Sequence, residues 1–377
     1  MTHRLASNGF YNAPWGQLQD QNMHFIIGAH ALALASGDKA AARRLLPAAL
    51  RLADYLEANG LAATGIFTSP ASGIANGGAC APALVRGKWV PSCGSSNWYD
   101  VVLMGHFDAY NALLAIWALE CLSDLVSWLG DDARAAHYAA LHARAAATFN
   151  ALMWSDAHSA YADWVDAANK ARFYFFTDVQ FKAVFLGVAN ATQAAAVVAQ
   201  YDALLGRLVR DYNATLADVW GPPSNVVPIT DPLEFVLELE PVEPNVPFPA
   251  YENGGSFFHS VGYEAMARAA VGDAAGSFAA FERFLLNGYA SNRGWAQQAY
   301  FNTQSLVGTD PLNDSLLSLW GLVHGGLGFK STLKGLVKTG APAPQLEGAT
   351  HTFGFLGEDA CVEVVGGALQ RCGGGWW

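Results

Sequence analysis

The pattern that most constrains this chain is a succession of apolar helical stripes that come in pairs. The stripes share apolar side chains repeated at the spacing of one helix face. They lie at 24–36 and 39–58, 106–129 and 133–153, 177–188 and 192–205, and 257–271 and 274–286, with a further single stripe at 315–325. Only a few residues separate the members of a pair. Such short connections predict helices that fold back on each other as hairpins.

The connections between the pairs are much longer and rich in Trp, Tyr, Gly and Pro. They run over 62–96, 154–174, 212–255 and 289–313, whereas loops in compact domains usually have about 4 to 6 residues. Short turns on one side and long loops on the other predict an all-α toroid of helical hairpins, with function on the long-loop face. Strand-like sequence is expected only in the tail, at 350–355 and 360–365. We expect one barrel domain over 1–340 and a tail with short strands over 341–377.

Composition and charge narrow the range of partners. Hydrophobic residues make up 52% of the 377 residues and charged residues only 14%, which excludes disorder and indicates a large core. The net charge of −11 without a basic stripe argues against nucleic acid. The most apolar stretch, 113–129, contains Glu120 and Asp124 and predicts an amphipathic or buried helix rather than a bilayer span, so no membrane partner is expected. The first residues contain no apolar signal core; either the protein is intracellular, with cytoplasm slightly favoured, or its N-terminus lies upstream.

Cofactor and metal motifs are missing from the sequence. There is no phosphate-cradling glycine motif, no nucleophile elbow and no His-Glu-x-x-His pair, and the five cysteines contain no Cys-x-x-Cys spacing. We therefore expect no metal and no organic cofactor. Cys80 with Cys93, and Cys361 with Cys372, could each form a bridge, but free thiols are the favoured expectation for both pairs.

The long loops instead place carboxylates beside aromatic and amide side chains, at 96–100, 161–164 and 249–258. Trp and Tyr rings can stack on the C–H faces of a sugar, and breaking a glycosidic bond requires one carboxylic acid and one carboxylate. Asp100 and Glu252 lie on different loops, as two such groups must. Each also precedes a helical segment, so a helix-capping role is the alternative.

Two motifs resemble those of the six-hairpin, (α/α)6-barrel glycosidases and phosphorylases. The segment Asn97-Trp98-Tyr99-Asp100, followed by 105–113, is similar to the part of these enzymes in which a Trp-x-Asp motif bears the general acid. Tyr251-Glu252-Asn253-Gly254-Gly255 resembles the Tyr-His-Asn-Gly motif of cellobiose-phosphorylase-like and alkaline/neutral-invertase-like members.

The resemblance continues towards the C-terminus. Residues 310–315, running into 319–322, are similar to the start of the last barrel helices in these enzymes, a group that also includes α-L-rhamnosidase-like domains. The similarity covers about 24–329 in order. It implies a glycoside hydrolase with a carbohydrate substrate and no cofactor.

One departure from the motif bears on the reaction. Glu252 stands where the phosphorylase-like motif has a histidine that helps to hold phosphate. A carboxylate would repel phosphate but can deprotonate an attacking water, so hydrolysis with inversion is favoured over phosphorolysis. Asp100, its pKa raised by Trp98 and Tyr99, is expected to be the acid and Glu252 the base, with their carboxyl groups about 6.5–9.5 Å apart.

The helix count is a second departure. Six hairpins need twelve helices, and the pattern predicts nine or ten. The missing pair is either an upstream hairpin, the first of the ring, or irregular helices, for which 333–337 is one candidate.

Further residues are predicted to surround the substrate. They are loop or helix-start residues with aromatic, amide, imidazole or carboxylate side chains: Asn97, Trp98, Tyr99, Tyr251, Asn253, Asp163, Trp164, His106, Asp108, Trp15, Trp295 and Gln297. Gln17, Asp20 and Gln21 could join Trp15 in a sugar-binding wall or form a solvated helix cap. Asp178 and Gln180 are expected to cap a helix and face the rim, and His106 and His259 could be satisfied core residues.

Two alternatives to hydrolysis stay open. A sugar epimerase or polysaccharide lyase on the same barrel would use His106, His259 and Tyr251 as acid and base. A degenerate barrel that binds sugar without turnover is the alternative from another class.

Overall fold

The computed structural model describes residues 19–69, 82–85, 88–91, 95–99, 102–212, 221–231, 234–235, 248–249, 252–284, 286 and 325–372. These ranges contain eight α-helices and short strands, which confirms the predicted all-α class with a small C-terminal sheet. The chain forms two compact units. The first comprises 1–33, 38–173 and 229–246, and the second comprises 34–37, 174–228 and 247–377. The predicted division at residue 340 stays a prediction.

Four of the described helices belong to the first unit: α1 (Asp20–Ser36, whose last residues belong to the second unit), α2 (Lys39–Leu56), α3 (Ala109–Trp128) and α4 (Asp132–Met153). The side chain of Asp38 caps α2 by accepting from the N–H groups of Ala40 and Ala41. A π-helical turn, Glu57–Leu61, follows α2.

Helix α3 is the core of the first unit and packs on α4. By length and composition alone this helix could cross a membrane, but 83% of its most apolar 18-residue stretch is buried inside the protein. Of the two alternatives predicted for this stretch, an amphipathic or a buried helix, the structure shows the buried one.

Short strands also occur in the long loops of the first unit. They are β1 (Pro82–Val85) with β2 (Lys88–Pro91), β3 (Phe107–Asp108) with β6 (Trp164–Val165) and β7 (Ala171–Arg172), and β4 (Trp154–Ser155) with β5 (Ala160–Tyr161). The expectation that strands are confined to the tail is therefore wrong, because strands of two to four residues are too short to show a clear alternation. The antiparallel pairing of β3 and β6 sets Asp108 opposite Trp164.

The second unit contains the remaining helices: α5 (Thr177–Phe185), α6 (Ala191–Asp211), α7 (Phe258–Ala270) and α8 (Ala274–Arg283). Helix α5 packs on α6 and α7, and α7 packs on α8. A capping box formed by Asn190 and Gln193 begins α6, and Asp273 caps α8. The stripe predicted at 315–325 lies outside the described residues except for its last position.

Two small β-structures complete the second unit. A hairpin of β8 (Phe329–Thr332) and β9 (Gly335–Lys338) precedes an antiparallel sheet of β10 (Thr350–Phe355), β11 (Glu358–Val365) and β12 (Ala368–Arg371). The predicted tail hairpin is confirmed as β10 and β11. The prediction of a helix at 333–337 is wrong. Residues 333–334 form the turn between β8 and β9, and Gly335, with φ +142°, begins β9.

A disulfide joins Cys361 in β11 to Cys372, which follows β12. The pairing of β11 with β12 sets the two Cα atoms 5.4 Å apart, and the N–H of Cys372 donates to the carbonyl of Cys361. The preference for free thiols was wrong for this pair. Cys80 and Cys93 lie outside the described residues.

The turn between β10 and β11 caps the C-terminus of α1. The N–H groups of Leu356 and Gly357 donate to the carbonyls of Leu34 and Ala35, at 2.5 and 3.1 Å, and satisfy acceptors that a helix end leaves unpaired. A Cβ on Gly37, which has φ +62°, would lie 2.1 Å from the carbonyl oxygen of Leu356. Glycine is therefore required where the helix meets the turn.

Candidate active site

Glu252 begins a buried loop of the second unit, and its side chain is almost entirely enclosed, at 1% exposed. The N–H of Gly254 donates to Oγ of Ser224 at 3.0 Å, and the N–H of Ser224 donates to the carbonyl of Gly255 at 2.7 Å. Helix α7 has Phe257 at its N-cap position, so Glu252 is not the cap of that helix. The capping alternative for Glu252 does not hold.

Further contacts fix the rest of the 252–256 loop. Nδ2 of Asn225 donates to Oδ1 of Asn253 at 3.1 Å, and Oγ of Ser256 donates to the carbonyl of Gly221 at 2.9 Å. Gly254 has φ +95°, and a Cβ there would lie 2.5 Å from the ring of Phe248. The loop is thus held by neighbours on several sides, and Asn253 contributes to its structure.

A buried polar cluster, the Asp178 cluster, lies at the starts of α5 and α7 and consists of Asp178, Lys182, His259 and Ser260. Oδ2 of Asp178 lies 3.0 Å from Nε2 of His259 and 3.3 Å from Nζ of Lys182, and Oγ of Ser260 donates to Oδ1 at 2.6 Å. Burial opposes ionisation of Asp178, but the charges of Lys182 and His259 outweigh it and hold the pKa well below its usual value.

These contacts decide two predictions. Asp178 and Gln180 are both fully buried, so the expectation that they face the rim is wrong; helix-start position alone does not show how deep a residue lies. His259 is a satisfied core residue, one of the two roles considered for it.

In the first unit, Asp108 ties the segment before Asp100 to the start of α3. Its Oδ2 accepts from Oγ of Ser96 at 2.7 Å and from Nδ2 of Asn97 and Asn111, both at 2.8 Å. Its Oδ1 accepts from the N–H groups of Tyr110 and Asn111, which makes Asp108 the N-cap of α3. Burial raises the pKa of Asp108, while these hydrogen bonds oppose the rise.

Asp20, the first residue of α1, is the carboxyl group that the protein leaves least satisfied among the described residues. It is fully buried, and neither carboxyl oxygen makes a hydrogen bond of good geometry. Burial, followed by the charge of Asp108, raises its pKa to about 7, although the nearby N–H groups of Gln21 and Trp98 lower it in part. A solvated cap is therefore wrong for Asp20, and its other predicted role, a wall of the sugar site, stays open.

The predicted aromatic contacts differ in exposure. Trp98 is partly exposed and packs edge-on against Tyr99, whereas Tyr99 and Trp164 are 0% and 1% exposed. His106 is partly exposed and packs against Phe107. Trp98 thus keeps part of its surface exposed, and stacking of Trp98, Tyr99 or Trp164 on a sugar ring stays a prediction.

Asp163 is buried and lies directly before β6, which pairs with β3 and β7. Its carbonyl accepts from the N–H of Ala109, and its own N–H donates to the carbonyl of Arg172 at 2.8 Å. Its backbone therefore joins β7 to the start of α3, and contact of its side chain with a sugar stays a prediction.

A buried ion pair that the motifs did not indicate supports the chain just after Asp100. Nε of Arg172 lies 2.5 Å from Oε1 of Glu234, and its Nη2 lies 3.2 Å from Oδ2 of Asp166. The carbonyl of Glu234 accepts from the N–H of Leu103 at 2.9 Å. Residues 62 positions apart meet here, which no local pattern could reveal.

Several predicted site residues lie outside the described residues: Asp100, Tyr251, Trp15, Trp295 and Gln297. Within the part of the chain that the structure describes, no three His, Cys, Asp or Glu side chains converge as a metal site would require.

Comparison with solved structures shows which known proteins have a similar fold. The structure is similar to the GH78 family rhamnosidase of Bacillus sp. GL1, with a TM-score of 0.56 and 15% identity over 92% of this chain. It is also similar to the GH63 mannosylglycerate hydrolase of Thermus thermophilus, with a TM-score of 0.53 and 13% identity over 85% of this chain in the complex with Tris. The complex of that hydrolase with glucose gives a TM-score of 0.52 at 14% identity.

These likenesses confirm that the chain has a fold of the six-hairpin glycosidase type. The chain spans 30% of the length of the rhamnosidase and 82% of that of the mannosylglycerate hydrolase. No protein-family model and no curated protein sequence matches the chain.

Proposed function

We propose that this protein is an inverting glycoside hydrolase in which Glu252 is the general base and Asp100 the general acid. The observation that carries the proposal is the Glu252 loop: a carboxylate 1% exposed, on a backbone fixed by Ser224, in a fold that two glycoside hydrolases share. An inverting enzyme needs such a carboxylate to take a proton from water on one face of the sugar while an acid protonates the leaving oxygen.

Asp20 is the described residue best suited to hold the sugar itself. A buried carboxyl group whose oxygens lack good donors is costly unless a ligand supplies them, and sugar hydroxyl groups are such donors. Trp98, partly exposed and close to Asp20 through its N–H, offers a ring for stacking. Together they would bind one face and the hydroxyl groups of a neutral sugar.

The test exploits the different dependence of the two roles on the leaving group. Wild type, Asp100→Asn and Glu252→Gln are assayed on disaccharides and on dinitrophenyl glycosides, whose leaving group departs without protonation. Loss of general acid or base catalysis costs about 10²- to 10⁴-fold in rate. We expect Asp100→Asn to lose activity mainly on disaccharides and Glu252→Gln to lose it on both.

Matched controls are exposed carboxyl groups of the same type: Asp132→Asn in α4 and Glu358→Gln in β11. Both are expected to keep wild-type rates. NMR observation of the first-formed anomer checks inversion. Full hydrolytic activity of Glu252→Gln, or sugar binding without turnover by the wild type, would contradict the proposal, and the second result would favour a sugar-binding barrel.

The epimerase or lyase alternative gains nothing from His259. That imidazole is 6% exposed and engaged by Asp178. An acid or base for proton exchange at a sugar carbon needs a ring nitrogen directed at the substrate, whereas Nε2 of His259 lies 3.0 Å from Oδ2 of Asp178.

A further inference from the structure

The Asp178 cluster joins α5, which contributes Asp178 from its first turn and Lys182 from its last, to the first turn of α7, which is distant in sequence. Asp178 and Lys182 belong to α5, and His259 and Ser260 belong to α7, about 80 residues later. Both carboxylate oxygens of Asp178 are engaged, and its side chain and that of Lys182 are 0% exposed. A fully satisfied buried polar network of this kind favours one relative arrangement of the elements that it connects.

The same two helix starts hold both ends of the loop that bears Glu252. On the α5 side, Thr177 donates from its N–H to the carbonyl of Ser224 at 2.9 Å and from Oγ1 to the carbonyl of Pro223 at 2.7 Å. Ser224 in turn holds Gly254 through its hydroxyl group. On the other side, the loop passes directly into α7.

We propose that Asp178 is a positioning residue for Glu252, an inference that rests on the proposed function. By fixing α5 against α7, Asp178 fixes the 223–224 segment against the start of α7, and the loop between these two anchors has one conformation. Proton abstraction from water depends on that conformation, since a displacement of about 1 Å can cost about 100-fold in rate.

The test uses Ser260→Ala rather than a change of Asp178 itself. Asp178→Asn would leave the Lys182 charge buried without its counter-ion and endanger folding. Ser260→Ala removes only a neutral donor to Oδ1. Ser277→Ala is the matched control, because Ser277 is also a fully buried helical serine of the second unit, and its hydroxyl group makes no hydrogen bond with the described residues.

The expected result is a separation of kcat from KM. Ser260→Ala should lower kcat about 10- to 100-fold with KM within about twofold of wild type, while Ser277→Ala keeps both. Circular dichroism and thermal melting show that both variants are folded. A wild-type kcat in folded Ser260→Ala, with activity lost in Glu252→Gln, overturns this inference alone.

A double variant distinguishes positioning from a general structural effect. If Ser260 acts through Glu252, adding Ser260→Ala to Glu252→Gln changes the residual kcat by less than about twofold, because the two changes are not additive. A further tenfold fall in the double variant overturns the inference. Full activity of Glu252→Gln overturns the proposed function and this inference with it.

Discussion

Replacing Asp20 by asparagine is expected to remove a large pH dependence from the stability of the protein. The pKa of Asp20 is about 7 in the folded state and 3.8 for the unperturbed group. Between these values the folded protein keeps a proton that the unfolded chain releases, so the free energy of unfolding falls as pH rises from about 4 to about 7. The difference between a pKa of 3.8 and one of about 7, at about 1.36 kcal/mol per pH unit, lowers the free energy of unfolding by about 4 kcal/mol above pH 7.

Asparagine has nearly the shape of the protonated acid but cannot ionise. Asp20→Asn should therefore match the wild type near pH 4 and exceed its stability by up to about 4 kcal/mol above pH 7. Urea unfolding followed by tryptophan fluorescence at several pH values between about 4.5 and 7.5 measures the difference, in which titrations common to both proteins cancel.

Asp38→Asn provides a control of opposite sign. The N–H group of Ala41 lowers the pKa of the exposed Asp38 carboxyl, so its contribution is present at neutral pH and is lost as pH falls. The Asp38 variant should be less stable than wild type at neutral pH and approach it in acid. A difference between Asp20→Asn and wild type that stays constant from about pH 4.5 to 7.5 would refute the assignment of Asp20 as a buried, protonated carboxyl group.

Three further substitutions test contacts that stabilise the two units. Gly254→Ala should cost about 1–3 kcal/mol in a thermal melt and lower kcat, whereas Gly272→Ala, at φ +83° with open space around it, should carry the backbone strain alone and keep kcat. Glu234→Gln weakens the buried pair with Arg172 and should cost about 2 kcal/mol in urea unfolding. Cys372→Ser opens an 11-residue disulfide loop, which should cost about 3 kcal/mol and speed proteolysis of the tail.

The helices were predictable because each repeats apolar residues over several turns. In α3 every position from Ala109 to Leu119 is buried, and the helix is followed by Gly130 and Asp131. Helix α6 extends to Asp211, beyond the predicted end at residue 205, since buried Leu208 and Val209 continue its face. The strands β3, β6 and β7 were not predictable, because two residues cannot show a period and their pairing joins segments far apart in sequence.

The candidate site likewise contains residues that the local sequence predicts and residues that it does not. Glu252 could be singled out from its neighbours in sequence, since a carboxylate beside Asn253 and Gly254 forms a local motif. The burial of Asp20 and the contact of Asp178 with His259, 81 positions away, depend on tertiary packing that no local pattern contains. From the local sequence alone, a carboxylate at a helix start is expected to be a solvated cap, because such residues are common at helix N-termini.

Three buried aspartates at helix starts show what separates a structural carboxyl group from one suited to binding. Asp108 accepts five hydrogen bonds from protein groups, and Asp178 is engaged by Lys182, His259 and Ser260. Asp20 is as deeply buried, yet among the described residues it has no well-formed donor, and the charge that most affects it is another carboxyl group. Burial is common to all three, so the difference lies in the donors that the fold supplies. The hydroxyl groups of a sugar would supply such donors, which is why the proposed contact with the sugar is assigned to Asp20.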